Sequence, residues 1–309
     1  MSDAVASAAL PTYQPRRTPR VQMLAVRGGR IAVTRWGESA RAPIVLLHGW
    51  MDCAASFQFL ADSLPTEWAL AAVDWRGYGQ SDARADLYWL PDNIADLEAV
   101  LEQLAPDEPA GVIAHSLGGT VASMYAGVRP QRLQWLANLE GLGLWRGSLN
   151  APERLSRWLD EQAEPAQSTR YASLEEFTRR LRLRHPRLRA DRARFLAAAW
   201  TRERDGQFEI CADPKHRLMQ PLRVRNEDVE ACWAQIRCPV LMLFGSESDA
   251  LARAGGELAL QRWRRAMPQL QSASIAEAGH LLQHEQPEAL AGLIEAFVRA
   301  HGKPASAAR

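Results

Sequence analysis

Apolar and polar positions follow two rhythms along this chain. Short, mainly apolar runs at 44–47, 69–73, 111–114, 135–139 and 240–244 predict strands buried on both faces. Residues 272–275 predict one more strand, and 21–26 and 30–36 predict a hairpin turned at Gly28-Gly29. Helical spacing fills the gaps. Ile94, Leu97, Leu101 and Leu104 mark one face of a helix that has Pro91 near its start. Leu290, Leu293, Ile294 and Phe297 give a terminal helix its apolar stripe. Strands alternating with helices predict an α/β protein, a mostly parallel sheet with helices on both faces.

From about 144 to 235 the alternation stops. This stretch has helical periodicity but no clear buried strand, and it predicts a helical cap lying over the strand ends, where open α/β sheets bind ligands. The expected organisation is a core of 21–143 and 236–300, the cap at 144–235, a disordered extension at 1–20 and a flexible tail at 301–309. Residues 179 to 194 carry eight arginines against one acid, Asp191. They read as a solvated face, or as a docking surface for an anionic acyl carrier. Tryptophans 145, 158, 200 and 233 read as cap packing, or as the lining of an apolar cavity.

Composition narrows the classes. The 309 residues are 47% hydrophobic and 24% charged, as in a globular enzyme, and the net charge of +1 gives no basis for nucleic-acid binding. No apolar run approaches the roughly 20 residues of a membrane span. The first 20 residues are rich in Ala, Pro and Arg without an apolar segment, which argues against a secretory signal. Cys53, Cys211, Cys232 and Cys238 lack metal-ligand spacing and read as reduced thiols of a cytoplasmic protein.

The chemistry centres on Ala114-His115-Ser116-Leu117-Gly118-Gly119. Small residues two before and two after a serine permit a sharp strand-to-helix turn that lifts the hydroxyl above the sheet edge. Ala114 stands where the pattern has its first glycine. A serine hydroxyl needs a base, and the base needs an orienting group, in the chain order serine, acid, histidine. His280, in Glu277-Ala278-Gly279-His280, follows the last strand and is the expected base, and His284 competes but reads as surface. Asp249, after the strand at 240–244, is the first choice of acid, with Glu140 second and Glu247 third. As a non-catalytic alternative, Asp249 caps a helix. Backbone N–H groups of Leu117 and Trp50 are the expected oxyanion donors. His48 and Gly49 shape their loop, and the Trp50 ring either walls an acyl pocket or packs in the core.

His48-Gly49-Trp50, Asp74-Trp75-Arg76-Gly77-Tyr78-Gly79-Gln80-Ser81, the serine elbow and Gly279-His280 together resemble the α/β-hydrolase superfamily over most of 21–300. His48–Phe57 and Leu139-Glu140-Gly141-Leu142-Gly143 further resemble its serine hydrolase-like, or kraken-like, branch. The resemblance implies the α/β-hydrolase fold with an eight-stranded sheet, a cap after strand six, and a Ser-Asp/Glu-His triad without cofactor. It also implies esterase or related acyl-hydrolase activity on a small-molecule acyl substrate. Asp249 lies one residue beyond the common Gly-x-x-Asp spacing from Gly245. Serine at 116, where an aspartate would be expected, sets the chain apart from the haloalkane dehalogenase and epoxide hydrolase branches. A thioesterase or acyltransferase, and a non-hydrolytic ligand-binding protein, stay open beside a plain esterase.

Overall fold

The computed structural model describes residues 11–39, 41–84, 86–143, 149–164 and 166–301. Strands β1 (Arg20–Val26) and β2 (Gly29–Trp36) form the expected hairpin. Arg27 and Gly28 at its tip both take positive φ, 43° and 76°, a turn whose twist matches that of the strands. Next come β3 (Ile44–Leu47), α1 (Gln58–Ser63), β4 (Leu70–Val73), α2 (Leu90–Leu104), β5 (Ala110–His115), α3 (Leu117–Val128) and β6 (Leu133–Leu139).

The chain then leaves the sheet. The excursion holds α4 (Ala151–Gln162), β7 (Arg170–Tyr171), α5 (Leu174–Arg184), α6 (Ala190–Trp200), β8 (Thr201–Arg204) and β9 (Gln207–Ile210). It returns through α7 (Asn226–Trp233), β10 (Val240–Gly245), α8 (Ala250–Arg253), α9 (Gly256–Ala266), β11 (Leu270–Ile275), α10 (Leu282–Glu285) and α11 (Pro287–His301).

Eight strands form one sheet in the order β1-β2-β4-β3-β5-β6-β10-β11, parallel from β4 to β11. Successive residues of its central strands bury into opposite layers. Val45, Leu47, Val112, Ala114, Leu136 and Met242 pack with α2, α3, α7 and α9. Leu46, Ile113, Ala137, Leu139, Leu241 and Leu243 pack with α1 and α11. This double burial explains why these runs are apolar but for Asn138 of β6. All parallel strands end on one edge, so the loops after β3, β5, β6, β10 and β11 meet there.

Three expectations change. The cap is not purely helical: β7, β9 and β8 form a small antiparallel sheet. Its strands have polar, exposed positions, so no apolar run announced them. Helix α7 lies against α3, where a Cβ on Gly127 would stand only 1.9 Å from the Cys232 carbonyl oxygen, and Trp233 meets Trp263 edge-on at 5.4 Å. Residues 226–233 therefore belong to the core layer. Within 1–20, residues 13–17 are pinned by Asp62, which accepts from the Tyr13 hydroxyl (2.9 Å) and from the Arg16 and Arg17 N–H groups (3.0 and 2.7 Å). Residues 1–10 and 302–309, and Trp145, lie outside the described residues. No helix among the described residues is long and apolar enough to cross a membrane.

Candidate active site

Strand β5 ends in a tight turn at Ser116, with φ 49° and ψ −113°, a conformation that side chains rarely adopt. The Ser116 N–H donates to the Leu139 carbonyl (2.9 Å) and its own carbonyl accepts from the Thr120 N–H (3.0 Å), fixing the turn to β6 and to α3. Gly118 is required because a Cβ there would stand 2.5 Å from the Leu47 oxygen and 2.8 Å from the His48 oxygen. The elbow thus presses against the loop after β3.

The loop after β11 brings His280 to the serine. His280 Nε2 lies 3.0 Å from Ser116 Oγ, and Nδ1 lies 2.6 Å from Glu140 Oε2. A carboxylate only accepts, so Nδ1 carries the proton and Nε2 offers its lone pair to the hydroxyl. The Glu140 side chain is fully buried, whereas 38% of the His280 side chain is exposed, so the relay is anchored inside and open at its reacting end. Glu140 sits at the end of β6 with φ 55°. Its Oε1 accepts from the Gly245 N–H (2.8 Å) and its Oε2 from the Ser248 hydroxyl (2.7 Å). A buried carboxylate is tolerated where donors satisfy both oxygens.

This corrects the first choice of acid. Asp249 points to solvent, 65% exposed, and pairs with Arg253 at 2.5 Å. It stands at the start of α8 without a side-chain capping bond. The fourth position of the Gly-x-x-Asp spacing is occupied by Ser248, whose hydroxyl supports Glu140 from the place where an acid was expected. Glu247 is also on the surface, 3.0 Å from Arg187. His284, expected at the surface, is completely buried, with its Nε2 3.5 Å from Asp52 and its ring edge-on to Phe59 and Trp200.

The loop after β3 completes the arrangement. His48 is fully buried; its Nε2 accepts from the Trp75 N–H (3.1 Å), so Nδ1 is protonated and donates to the Gly49 carbonyl (2.7 Å). A trans peptide holds C=O and N–H on opposite sides, so this bond turns the Trp50 N–H away from His48. A Cβ on Gly49 would lie 3.2 Å from Ser116 Cβ, which places the turn directly beside the nucleophile. Leu117 opens α3, so its N–H has no partner within that helix. The Trp50 ring is not in the core: it is 56% exposed, and its Nε1 donates to the His216 carbonyl (3.2 Å).

His216 belongs to the excursion's return leg and stacks between Tyr78 and Tyr88, with ring centroids 3.9 and 3.7 Å away. Burial pushes its pKa down to about 4. Five of the eight arginines at 179–194 pair with carboxylates of the chain itself: Arg180, Arg187, Arg189, Arg192 and Arg194. Among the described residues no three His, Cys, Asp or Glu side chains are grouped to hold a metal ion.

A sheet carrying a strained serine elbow, with a histidine and a buried acid on the same edge, defines an α/β hydrolase. The family model described as alpha/beta hydrolase fold matches residues 42–287, and the chain belongs to that family. Within it the chain resembles the serine hydrolase-like proteins. The zebrafish (Danio rerio) serine hydrolase-like protein is 25% identical over 305 residues, covering 93% of this chain and 91% of the relative. The pimeloyl-acyl-carrier protein methyl ester esterase of Serratia marcescens is 28% identical over 271 residues, covering 86% of this chain and 96% of the relative. Among solved structures, a thioesterase domain from the curacin biosynthetic pathway superposes with a TM-score of 0.80 at 23% identity, over 90% of this chain and 99% of that one.

Proposed function

We propose that this hydrolase cleaves small-molecule carboxylic esters through Ser116, His280 and Glu140, without a cofactor. The observation that carries this reading is the continuous relay from Ser116 Oγ to His280 Nε2 (3.0 Å) and from His280 Nδ1 to Glu140 (2.6 Å). In the first half-reaction Ser116 Oγ attacks the acyl carbonyl while His280 takes its proton. Glu140 holds the ring in the correct tautomer and offsets the charge of the imidazolium. The N–H groups of Trp50 and Leu117 receive the oxyanion. Collapse expels the alcohol, which leaves with the proton from His280, and the acyl group stays on Ser116. Water, deprotonated by His280, then attacks the acyl-enzyme and releases the acid.

The Serratia relative is named for an ester on an acyl carrier, and a carrier-linked thioester would react by the same steps. Pairing of five cap arginines within the chain leaves less positive charge for a carrier, so we favour the small ester. The four free cysteines accord with a reducing, cytoplasmic setting. Hydrolysis of p-nitrophenyl acyl esters tests the reading. The wild type turns over, and Ser116→Ala loses several orders of magnitude in kcat. A folded Ser116→Ala protein with wild-type turnover contradicts it. Thioester turnover that falls steeply with salt would favour the carrier substrate.

A further inference from the structure

One buried histidine beside the relay takes no part in it. His115, at the end of β5, is 2% exposed, and its Nε2 lies 2.8 Å from the backbone carbonyl oxygen of His280. Its ring lies against the His280 ring, centroids 4.9 Å apart. Its other nitrogen, Nδ1, is buried without a hydrogen-bond partner and faces the loop after β3, where a Cβ on Gly49 would stand 2.8 Å away. A carbonyl only accepts, so Nε2 carries the proton and Nδ1 is bare. Burial first, and the His280 ring second, hold the His115 pKa well below the ordinary histidine value, so it stays a neutral donor. Asp52 and His284 are the other titratable groups that act on it.

The histidine loop is gripped from its other side as well. Glu285 Oε2 accepts from the Gly279 N–H at 2.6 Å, and Glu285 is 8% exposed. The Ala278–Gly279 peptide and the His280 carbonyl are therefore both tied to buried side chains. Side-chain rotation is then the freedom left to His280, and Glu140 restricts it.

We propose that His115 is a positioning residue that sets the His280–Ser116 separation. It joins the three parts of the site: it precedes the nucleophile in sequence, donates to the backbone of the base, and packs its bare nitrogen on the glycine of the oxyanion loop. The proposal rests on the relay described under Proposed function. It concerns how the relay is held, not which atoms react.

The test uses the full chain with His115→Leu, which fills the space without a donor, and His115→Gln, whose amide N–H reaches the same carbonyl. The Leu variant should lose about tenfold to a hundredfold in kcat with KM unchanged, since small misplacements of a base act on the chemical step. The downfield proton signal of the His280–Glu140 hydrogen bond should broaden or shift in the Leu variant and return in the Gln variant, along with most of the kcat. A merely structural role would lower stability without moving that signal. A folded Leu variant with wild-type kcat, an equal loss in both variants, or a loss confined to KM overturns the proposal. If the Leu variant does not fold, His115→Asn replaces it, because its shorter amide cannot span the gap, and the same outcomes decide. Fluorophosphonate labelling of the wild type separates the two readings. Labelled Ser116 with inert His115 variants rejects the positioning role alone, whereas an unlabelled wild type rejects the relay itself.

Discussion

Glu140 and Asp249 show what a single residue can and cannot announce. Both follow apolar strands that end on the active edge, and both are one loop away from His280. They differ in burial and in donors. Glu140 is enclosed and accepts from Gly245, Ser248 and His280, whereas Asp249 faces water beside Arg253. An exposed pair of that kind contributes at most about 1 kcal/mol. Glu140→Gln should lower kcat by about 10³- to 10⁴-fold, through loss of the ring's orientation and tautomer. Asp249→Asn should stay within about twofold of wild type. Steady-state kinetics of the two variants on one ester separate them. Small residues and chain order single out Ser116 and His280, and the fold brings the two side chains to 3.0 Å. Which carboxylate meets His280 was not legible, because it depends on which of two loops turns inward, and no local pattern encodes that. Ser248 held the clue, filling the acid's usual place without being acidic.

At the scale of elements, the strands and helices of the core were legible wherever burial is complete. The central strands β3, β4, β5, β6 and β10 stand where the mainly apolar runs placed them, because a strand covered on both faces leaves little room for polar positions. The cap strands were missed for the converse reason. β8 is mostly exposed and β9 only half-buried, and their clearest mark is the Asp205-Gly206 turn between them, both residues at positive φ. Helix α7 was assigned to the cap because its periodicity shows that a face is apolar, not which layer receives it. Helix α3 carries the sharpest element-level prediction. Glycine to alanine inside a helix ordinarily gains about 1 kcal/mol. At Gly118 the new Cβ would meet backbone oxygens of Leu47 and His48, which cannot swing aside. Gly118→Ala should therefore lose about 1–3 kcal/mol in denaturant unfolding and lower kcat, because the loop after β3, beside Ser116, is what must move.

At the scale of the whole molecule, the excursion is tied to the core by apolar packing, Phe59 against Leu181, Leu188, Ala193 and Leu196, and by buried or half-buried polar groups. Arg192, 3% exposed, donates to the His284 and Glu285 carbonyls at 3.2 and 3.1 Å and pairs with Glu288. Trp200 Nε1 donates to Asp52 at 2.7 Å. His216 sits between Tyr78 and Tyr88, and its Nε2 donates to the Arg76 carbonyl (2.9 Å). Burial lowers the pKa of His216 from 6.5 to about 4, and that of His185 likewise. The unfolded chain therefore takes up these protons first as the pH falls. Their contribution to stability is complete above pH 6.5 and is lost progressively towards pH 4. Thermal unfolding should show Tm falling through that window. In His216→Phe, which keeps a ring between the tyrosines, the fall should be smaller. An equal fall in both proteins would mean that His216 is not among the groups responsible. None of this was visible in sequence, since the stack joins residues about 130 positions apart.

His280 and Glu140 are proposed to activate Ser116. The most direct measurement is the rate and site of labelling by a fluorophosphonate, read by intact mass and peptide mapping, on wild type, Glu140→Gln and Asp249→Asn. The expected result is rapid single labelling at Ser116 in the wild type, unchanged in Asp249→Asn and slowed at least about a hundredfold in Glu140→Gln. An unlabelled but folded wild type, or slowing in Asp249→Asn with Glu140→Gln unaffected, would contradict it.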